Sequence, residues 1–184
     1  MNILVTGASK GIGRAIAKEF LGYGKVFVTG RNEEALKTIG AIDYCLCDLS
    51  KDITPLIEFI KTHDIDILIN NAGFGVFGSF DETSLKDELN LINVNIKALH
   101  ILTKLFLKDL KAKNYGYILN VSSSAGFMTG PLLSSYYASK NYVLRLSLAI
   151  RELSYSSLKA VFFAPCGKSL FEVRQVRLHK HLPQ

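Results

Sequence analysis

From Asn2 onward, short blocks of contiguous apolar residues alternate with longer segments whose apolar positions recur every three or four residues. The first block, NILVTG, is apolar almost throughout and ends on glycine, the pattern of a strand buried on both faces. The next segment, IGRAIAKEFLGYG, sets Ile12, Ala15, Ile16 and Phe20 on one helical face and closes on glycines. KVFVTG reads as a strand, NEEALKTIG as a helix and DYCLCDL as a strand. ITPLIEFIKTH is a short helix that tolerates Pro55 in its first turn. IDILINNAG is a buried strand, Leu85–Leu110 one long helix and YGYILNVSS a strand. Ser135–Leu153 is a second long helix, and LKAVFFAP a last strand stopped by proline.

Strands that alternate with helices predict an α/β fold, a doubly wound and mostly parallel sheet in three α/β/α layers. Crossovers in such a sheet are right-handed, and ligands bind beyond the carboxyl ends of its strands. The functional loops are therefore TGASKGIG, Gly30–Arg31, Cys47–Leu49, Asn70–Gly73 and Val121–Ser124, all rich in small or polar residues. Residues 1–164 form one domain on this reading, followed by an atypical basic tail, 165–184.

A length of 184 residues suits a single domain that buries roughly 70% of its unfolded surface without staples. No apolar run is long enough for a bilayer, and MNILVTGASK lacks the basic-then-apolar pattern of a secretory signal. The three cysteines, Cys45, Cys47 and Cys166, point to reduced thiols in the cytoplasm. Cys45 and Cys47 share one face of a strand and read as small core residues; without a second pair they predict no metal site. Of the net charge of +6, half comes from the tail, where Lys168, Arg174, Arg177 and Lys180 stand against Glu172. No Lys/Arg run alternates with aromatics, so nucleic acid is not an expected partner, whereas a basic balance serves an anionic cofactor.

Candidate chemistry begins at the first turn, Thr6-Gly7-Ala8-Ser9-Lys10-Gly11-Ile12-Gly13. Glycines between a strand and an amphipathic helix allow positive φ and close backbone approach, and the helix start offers free N–H groups to a phosphate. No Gly-Lys-Ser/Thr closes this turn, so it is not a P-loop. The tail's Gly167-Lys168-Ser169 is not one either, because Phe162 stands where that motif needs glycine. A dinucleotide fits, with Gly7, Ser9, Lys10, Gly11, Ile12 and Gly13 around its phosphates. The second strand ends in Gly30-Arg31-Asn32 with no acid. NAD-preferring sites carry an acid there, whereas an Arg suits a 2′-phosphate, so Arg31 with Lys10 predicts NADP(H) over NAD(H). Farther on, SSYYASK sets Tyr136 four and Tyr137 three residues before Lys140, and both spacings share a helical face.

Together these residues resemble the short-chain dehydrogenases/reductases over Met1 to about Ala164. The resemblance rests on Thr6-Gly7-x-x-x-Gly11-Ile12-Gly13, Asp48-Leu49, Asn70-Asn71-Ala72-Gly73, Asn95 in NVN, Ser123 in NVSSSAG and Tyr136-x-x-x-Lys140. It implies a Rossmann-like fold and Asn95, Ser123, Tyr136 and Lys140 as catalytic residues. It further implies that Asp48 and Leu49 hold the adenine, and that Asn71, Ala72 and Gly73 flank the cofactor ribose. Asn95 would position a water near Lys140, while Tyr136 and Lys140 also touch the cofactor. A small-molecule carbonyl or alcohol is the implied substrate, and a homodimer through the two long helices the implied assembly. A free phenol has a pKa of about 10, and lowering it by about three units takes about 4 kcal/mol of preference for phenolate. A nearby desolvated Lys140 and the oxidised nicotinamide are the expected sources, with the Ser123 hydroxyl holding the substrate oxygen. The pattern breaks after the last strand. FFAPCGKSLFEVRQVRLHKHLPQ lacks the family's substrate-covering loop, helix and edge strand, so the alternative expectation is a dinucleotide-binding protein with little turnover.

Overall fold

The structure is a computed structural model and describes residues 1–152 and 158–163. The basic tail, 165–184, including Cys166, lies outside the described residues. Six strands, β1 (Asn2–Thr6), β2 (Lys25–Gly30), β3 (Asp43–Leu46), β4 (Ile67–Asn70), β5 (Gly116–Val121) and β6 (Leu158–Phe163), form one sheet in the order β3-β2-β1-β4-β5-β6. Every pairing is parallel. The expected α/β fold is therefore present. Strand order reverses at β1, which pairs with β2 through Thr6↔Thr29 and with β4 through Val5↔Ile69. That reversal is where a doubly wound sheet opens a crevice for a ligand.

The helices are α1 (Gly11–Phe20), α2 (Glu33–Lys37), α3 (Thr54–Thr62), α4 (Leu85–Ile92), α5 (Leu99–Lys113) and α6 (Ser134–Glu152). The contiguous apolar strands make two cores, because alternate residues face opposite sides. Leu4, Phe27, Leu68 and Ile118 pack with Leu56, Leu102, Phe106 and Leu110 of α3 and α5. Ile3, Val5, Val28 and Ile69 pack with Ile16, Ala17 and Leu36 of α1 and α2. Each fully buried Leu or Ile contributes about 1.5–3 kcal/mol, so the layers hold without further staples. Cys45 and Cys47 are free and buried in the first of these cores. Among the described residues no helix is long and apolar enough to cross a membrane.

Two elements, the first long helix and β3, differ from the periodicity reading. The long helix continues past Leu110 to Lys113, since Lys111–Lys113 are good helix formers that suit the negative helix end; Asn114 then stops it in the left-handed region at φ 55°. The same helix is not uniform, because Asn93–Ala98 widens into a π-helical turn between α4 and α5. β3 ends at Leu46, leaving Cys47–Leu49 in the loop, with Cys47 N–H donating to the Gly30 carbonyl at 3.0 Å.

Candidate functional site

The turn after β1 is shaped by what glycine lacks. Gly7 and Gly11 have φ of +68° and +57°, where a side chain is strained. A Cβ at Gly7 would lie 2.8 Å from Ala72 Cα, and one at Gly13 would lie 2.2 Å from Asn71 Nδ2 and 2.4 Å from the Gly7 carbonyl oxygen. The turn is thus pressed onto the loop after β4. At Gly11 a Cβ would meet nothing within 4 Å, so this side of the turn is open. Lys10, the N-cap of α1, makes no side-chain cap bond, leaving the first amides of a ten-residue helix free. Ser9 Oγ is buried with no hydrogen-bond partner among the described residues. An open cradle, free amides and an unpartnered hydroxyl fit a phosphate.

The loop after β4 is held by Thr6, whose Oγ1 accepts from the amides of both Asn71 and Ala72 at 3.0 Å. Asn71 Nδ2 donates back to the Thr6 carbonyl at 2.9 Å. A cavity of about 710 Å³ runs along these two loops and onward past β2 and β3. Gly7, Ser9, Lys10, Gly11, Ile12, Gly13, Arg31, Asp48, Leu49, Asn71, Ala72 and Gly73 all line it, which brings together every residue expected to touch a dinucleotide except Tyr136 and Lys140. Burial raises the Asp48 carboxyl, but the Ser50 amide and hydroxyl, at 3.0 and 2.8 Å, and the Arg31 and Lys51 charges outweigh it, leaving Asp48 below its ordinary range. Cys47 also lines the cavity, yet burial pushes its thiol up to about 11, which keeps it protonated and unreactive.

A second cavity, of about 370 Å³, adjoins the first through Ile12, Asn71, Gly73 and Phe74 and is walled by Tyr136 and Lys140 of α6. The geometry separates the two tyrosines. Tyr136 lines the cavity with the Lys140 ammonium 5.8 Å from its ring centroid. Tyr137 packs on Gly130, where a Cβ would lie 2.5 Å from the ring. Lys140 is 6% exposed and donates from Nζ to the Val121 carbonyl at 3.0 Å. Burial alone lowers its pKa to about 8.

Asn95 and Ser123 line neither cavity. Asn95 lies in the π turn, 1% exposed, with all its polar atoms engaged. Its Oδ1 accepts from the Phe74 amide at 3.1 Å, and its Nδ2 donates to the Phe74 carbonyl at 2.9 Å and to Ser139 Oγ at 3.0 Å. A Cβ on Gly73 would sit 3.1 Å from Asn95 Oδ1 and 3.3 Å from Lys140 Nζ, so Gly73 brings its backbone against both. Ser123 Oγ accepts from the Ala125 amide at 3.2 Å and caps the short 3₁₀ turn Ser124–Phe127. Ile12, Phe74, Val121 and Leu133 are the apolar residues that line the second cavity, whereas Phe77, Phe80, Phe127 and Met128 are exposed and line neither cavity.

The roles of Thr6, Ser122 and Ser139 in holding the loops and α6 in place are not among those the motifs imply. For Ser122 the three consecutive serines were the available signal.

Known proteins resemble this chain. The family model for short chain dehydrogenase matches residues 1–168. The chain is 36% identical to 3-oxoacyl-[acyl-carrier-protein] reductase FabG of Rickettsia prowazekii over 83% of its own length and 64% of that protein's. It is 35% identical to an NADP-dependent (R)-specific alcohol dehydrogenase of Lentilactobacillus kefiri, over 78% of its own length and 62% of that protein's. It therefore spans less than two thirds of either relative. Among solved structures, a metagenomic short-chain oxidoreductase in complex with NADP superposes with a TM-score of 0.82 at 32% identity, covering 91% of this chain and 83% of that one.

Proposed function

Because the chain belongs to the short-chain dehydrogenase family, we propose that it is an NADP(H)-dependent oxidoreductase that interconverts a carbonyl and an alcohol, with Tyr136 as general acid/base. The observation that supports this most is the junction of the two cavities. A cleft that runs from the Gly7–Gly13 cradle past Arg31 and Asp48 adjoins a pocket walled by a phenol and a desolvated ammonium. When bound, the cofactor supplies the hydride. The chain's own residues do the rest.

The Gly7–Gly13 turn and the free amides of α1 bind the pyrophosphate, with Ser9 Oγ as a further donor. Arg31 and Lys10 bind the 2′-phosphate, and the NADP named for two similar proteins agrees with them. Asp48 and Leu49 hold the adenine, and Asn71, Ala72 and Gly73 border the ribose. In the reduction direction the Tyr136 phenol gives its proton to the carbonyl oxygen as negative charge develops there, and in oxidation the phenolate takes it back. Ser123 holds that oxygen by donating its hydroxyl proton, which the bond accepted from the Ala125 amide leaves free. Lys140, poised near pH 8 by burial, sets a positive charge beside the phenol when protonated and passes a proton to a water positioned by the π turn that carries Asn95. Two copies associate through the α4–α5 and α6 faces; Leu85, Leu89 and Ile92 leave an apolar stripe exposed on α4.

The test is NADPH oxidation followed at 340 nm with a panel of ketones and aldehydes, Tyr136→Phe serving as control. Turnover by the parent and a loss of about 10²–10⁴-fold in the variant are expected. Equal rates would remove Tyr136 from the mechanism, and tight NADPH binding with no turnover by the parent would reject the enzymatic reading.

A further inference from the structure

We propose that Ser122 is a positioning residue for Lys140, its hydroxyl fixing where the ammonium stands over the end of β5. The inference rests on the proposed function for its consequence in turnover, but the clamp itself stands on geometry alone. Lys140 is tied to the exit of β5 at both of its ends. Its Nζ donates to the carbonyl of Val121 at 3.0 Å, and its own backbone carbonyl accepts from Ser122 Oγ at 2.8 Å. The last residue of β5 and the residue just after it thus hold the tip of the side chain and the backbone that carries it. A lysine has several rotatable bonds, and a contact at its tip alone would let the backbone drift beneath it. Anchoring the carbonyl as well removes that freedom.

Several features of the surroundings exist to permit this bond. Ser122 is 2% exposed and Lys140 6%, so the clamp is shielded from bulk solvent although both residues line the second cavity. Carbonyl 140 lies inside α6 and has a helical amide to serve its first lone pair, so the hydroxyl is not needed to satisfy it. What the bond adds is attachment of α6 to β5. The turn after the serines gives way to it. A Cβ on Gly126 would lie 2.8 Å from the Lys140 carbonyl oxygen and 3.2 Å from Ser122 Oγ, and Asn141 Nδ2 closes over Gly126 by donating to its carbonyl at 2.7 Å. One residue before Lys140, Ser139 Oγ donates to the Tyr136 carbonyl at 2.7 Å while accepting from Asn95. The stretch of helix that carries both reactive groups is therefore fixed from β5 at one point and from the π turn at another.

The three serines then have distinct duties. Ser122 faces inward to α6, Ser123 caps the following turn, and Ser124 opens it. A displacement of α6 by a fraction of an ångström moves the phenol and the ammonium together relative to whatever lies in the cleft. Misplacements of about 1 Å cost up to about 10²-fold in rate.

The experiment compares Ser122→Ala and Ser122→Thr in the full chain by two readouts. The first needs no turnover: titration of the Lys140 amine by NMR in protein carrying ¹³C-labelled lysine ε-carbons, assigned with Lys140→Met. Among the described residues the titratable group facing this amine is Tyr136, and no carboxylate contributes to its shift. In Ser122→Ala the ammonium regains water, so its midpoint is expected to rise, while Ser122→Thr keeps the hydroxyl and a parent-like midpoint. Gly126→Ala presses on the same carbonyl without deleting a hydrogen bond and is expected to raise the midpoint too. The second readout is ketone reduction. Ser122→Ala is expected to lose about tenfold in kcat with an unchanged Kd for NADPH, and Ser122→Thr to stay near the parent. A parent-like midpoint in both Ser122→Ala and Gly126→Ala, or equal impairment of the Ala and Thr variants, overturns the proposal. If the parent itself reduces nothing, the oxidoreductase reading fails while the titration still decides the clamp.

Discussion

Lys140→Met removes a buried ammonium and is expected to stabilise the protein below pH 8 while abolishing its chemistry. Burial lowers Lys140 from 10.5 to about 8. At about 1.4 kcal/mol per unit, holding the charged form in the fold costs about 3 kcal/mol. Methionine fills much the same volume with no charge but leaves the Val121 carbonyl without its donor, which costs about 1 kcal/mol. The net gain is about 2 kcal/mol, or about 6 °C for a chain of this size. The sign depends on pH. Because the folded value lies below the unfolded one, the unfolded chain binds the extra proton between about pH 8 and 10.5. The parent therefore gains stability as pH rises through that window and loses it as pH falls through about 8. The variant's advantage should hold below about pH 8 and be gone by 10.5. Urea unfolding of both proteins, followed by circular dichroism at steps from pH 6.5 to 10.5, measures the difference, and subtraction cancels every other titrating group. A pH-independent difference, or a variant less stable than the parent at pH 6.5, would refute the burial argument.

Other positions give further outcomes. Arg31→Ala should raise the Kd for NADPH at least about tenfold by calorimetry, the worth of one charge-assisted phosphate contact, and leave NADH unchanged; an equal loss for both would refute the 2′-phosphate assignment. Gly13→Ala would drive a Cβ to 2.2 Å from Asn71 Nδ2 and 2.4 Å from the Gly7 carbonyl oxygen, so thermal melts should show a loss of about 1–3 kcal/mol and no further stabilisation by NADPH. Asn95→Ala strips the partners from the Phe74 amide and carbonyl, with an expected cost of about 2–3 kcal/mol and faster hydrogen exchange at the Phe74 amide.

Much of the cleft's first half was readable from the chain because its chemistry is local. A strand, a glycine-rich turn and an amphipathic helix specify one another within Asn2–Phe20, and the open φ values of Gly7 and Gly11 depend on those residues alone. The missing acid after β2 and the presence of Arg31 were equally plain. Helix length was less so. Lys111–Lys113 carry no apolar periodicity, and only the left-handed Asn114 marks the end. The π turn at Asn93–Ala98 had no local signal either, because what fills it is Asn95 bonding to Phe74 and Ser139, distant in sequence.

The chain by itself determined that six apolar blocks would stack as a parallel sheet and that its carboxyl rim would carry glycines, a base and a phenol. These follow from burial and backbone freedom, which act over a few residues. Helical spacing left two tyrosines open and the family resemblance named Tyr136; what sets Tyr136 at the cavity, and which of three serines holds the lysine, was decided in three dimensions. Tyr136 and Tyr137 both satisfy helical spacing, and the choice fell to Gly130, which takes up Tyr137 and leaves Tyr136 to the cavity. Ser122 and Ser123 differ by one position on a strand end, and the pleat turns one hydroxyl into α6 and leaves the next to its own turn. Those are contacts between distant segments, and spacing along a single chain carries no record of them.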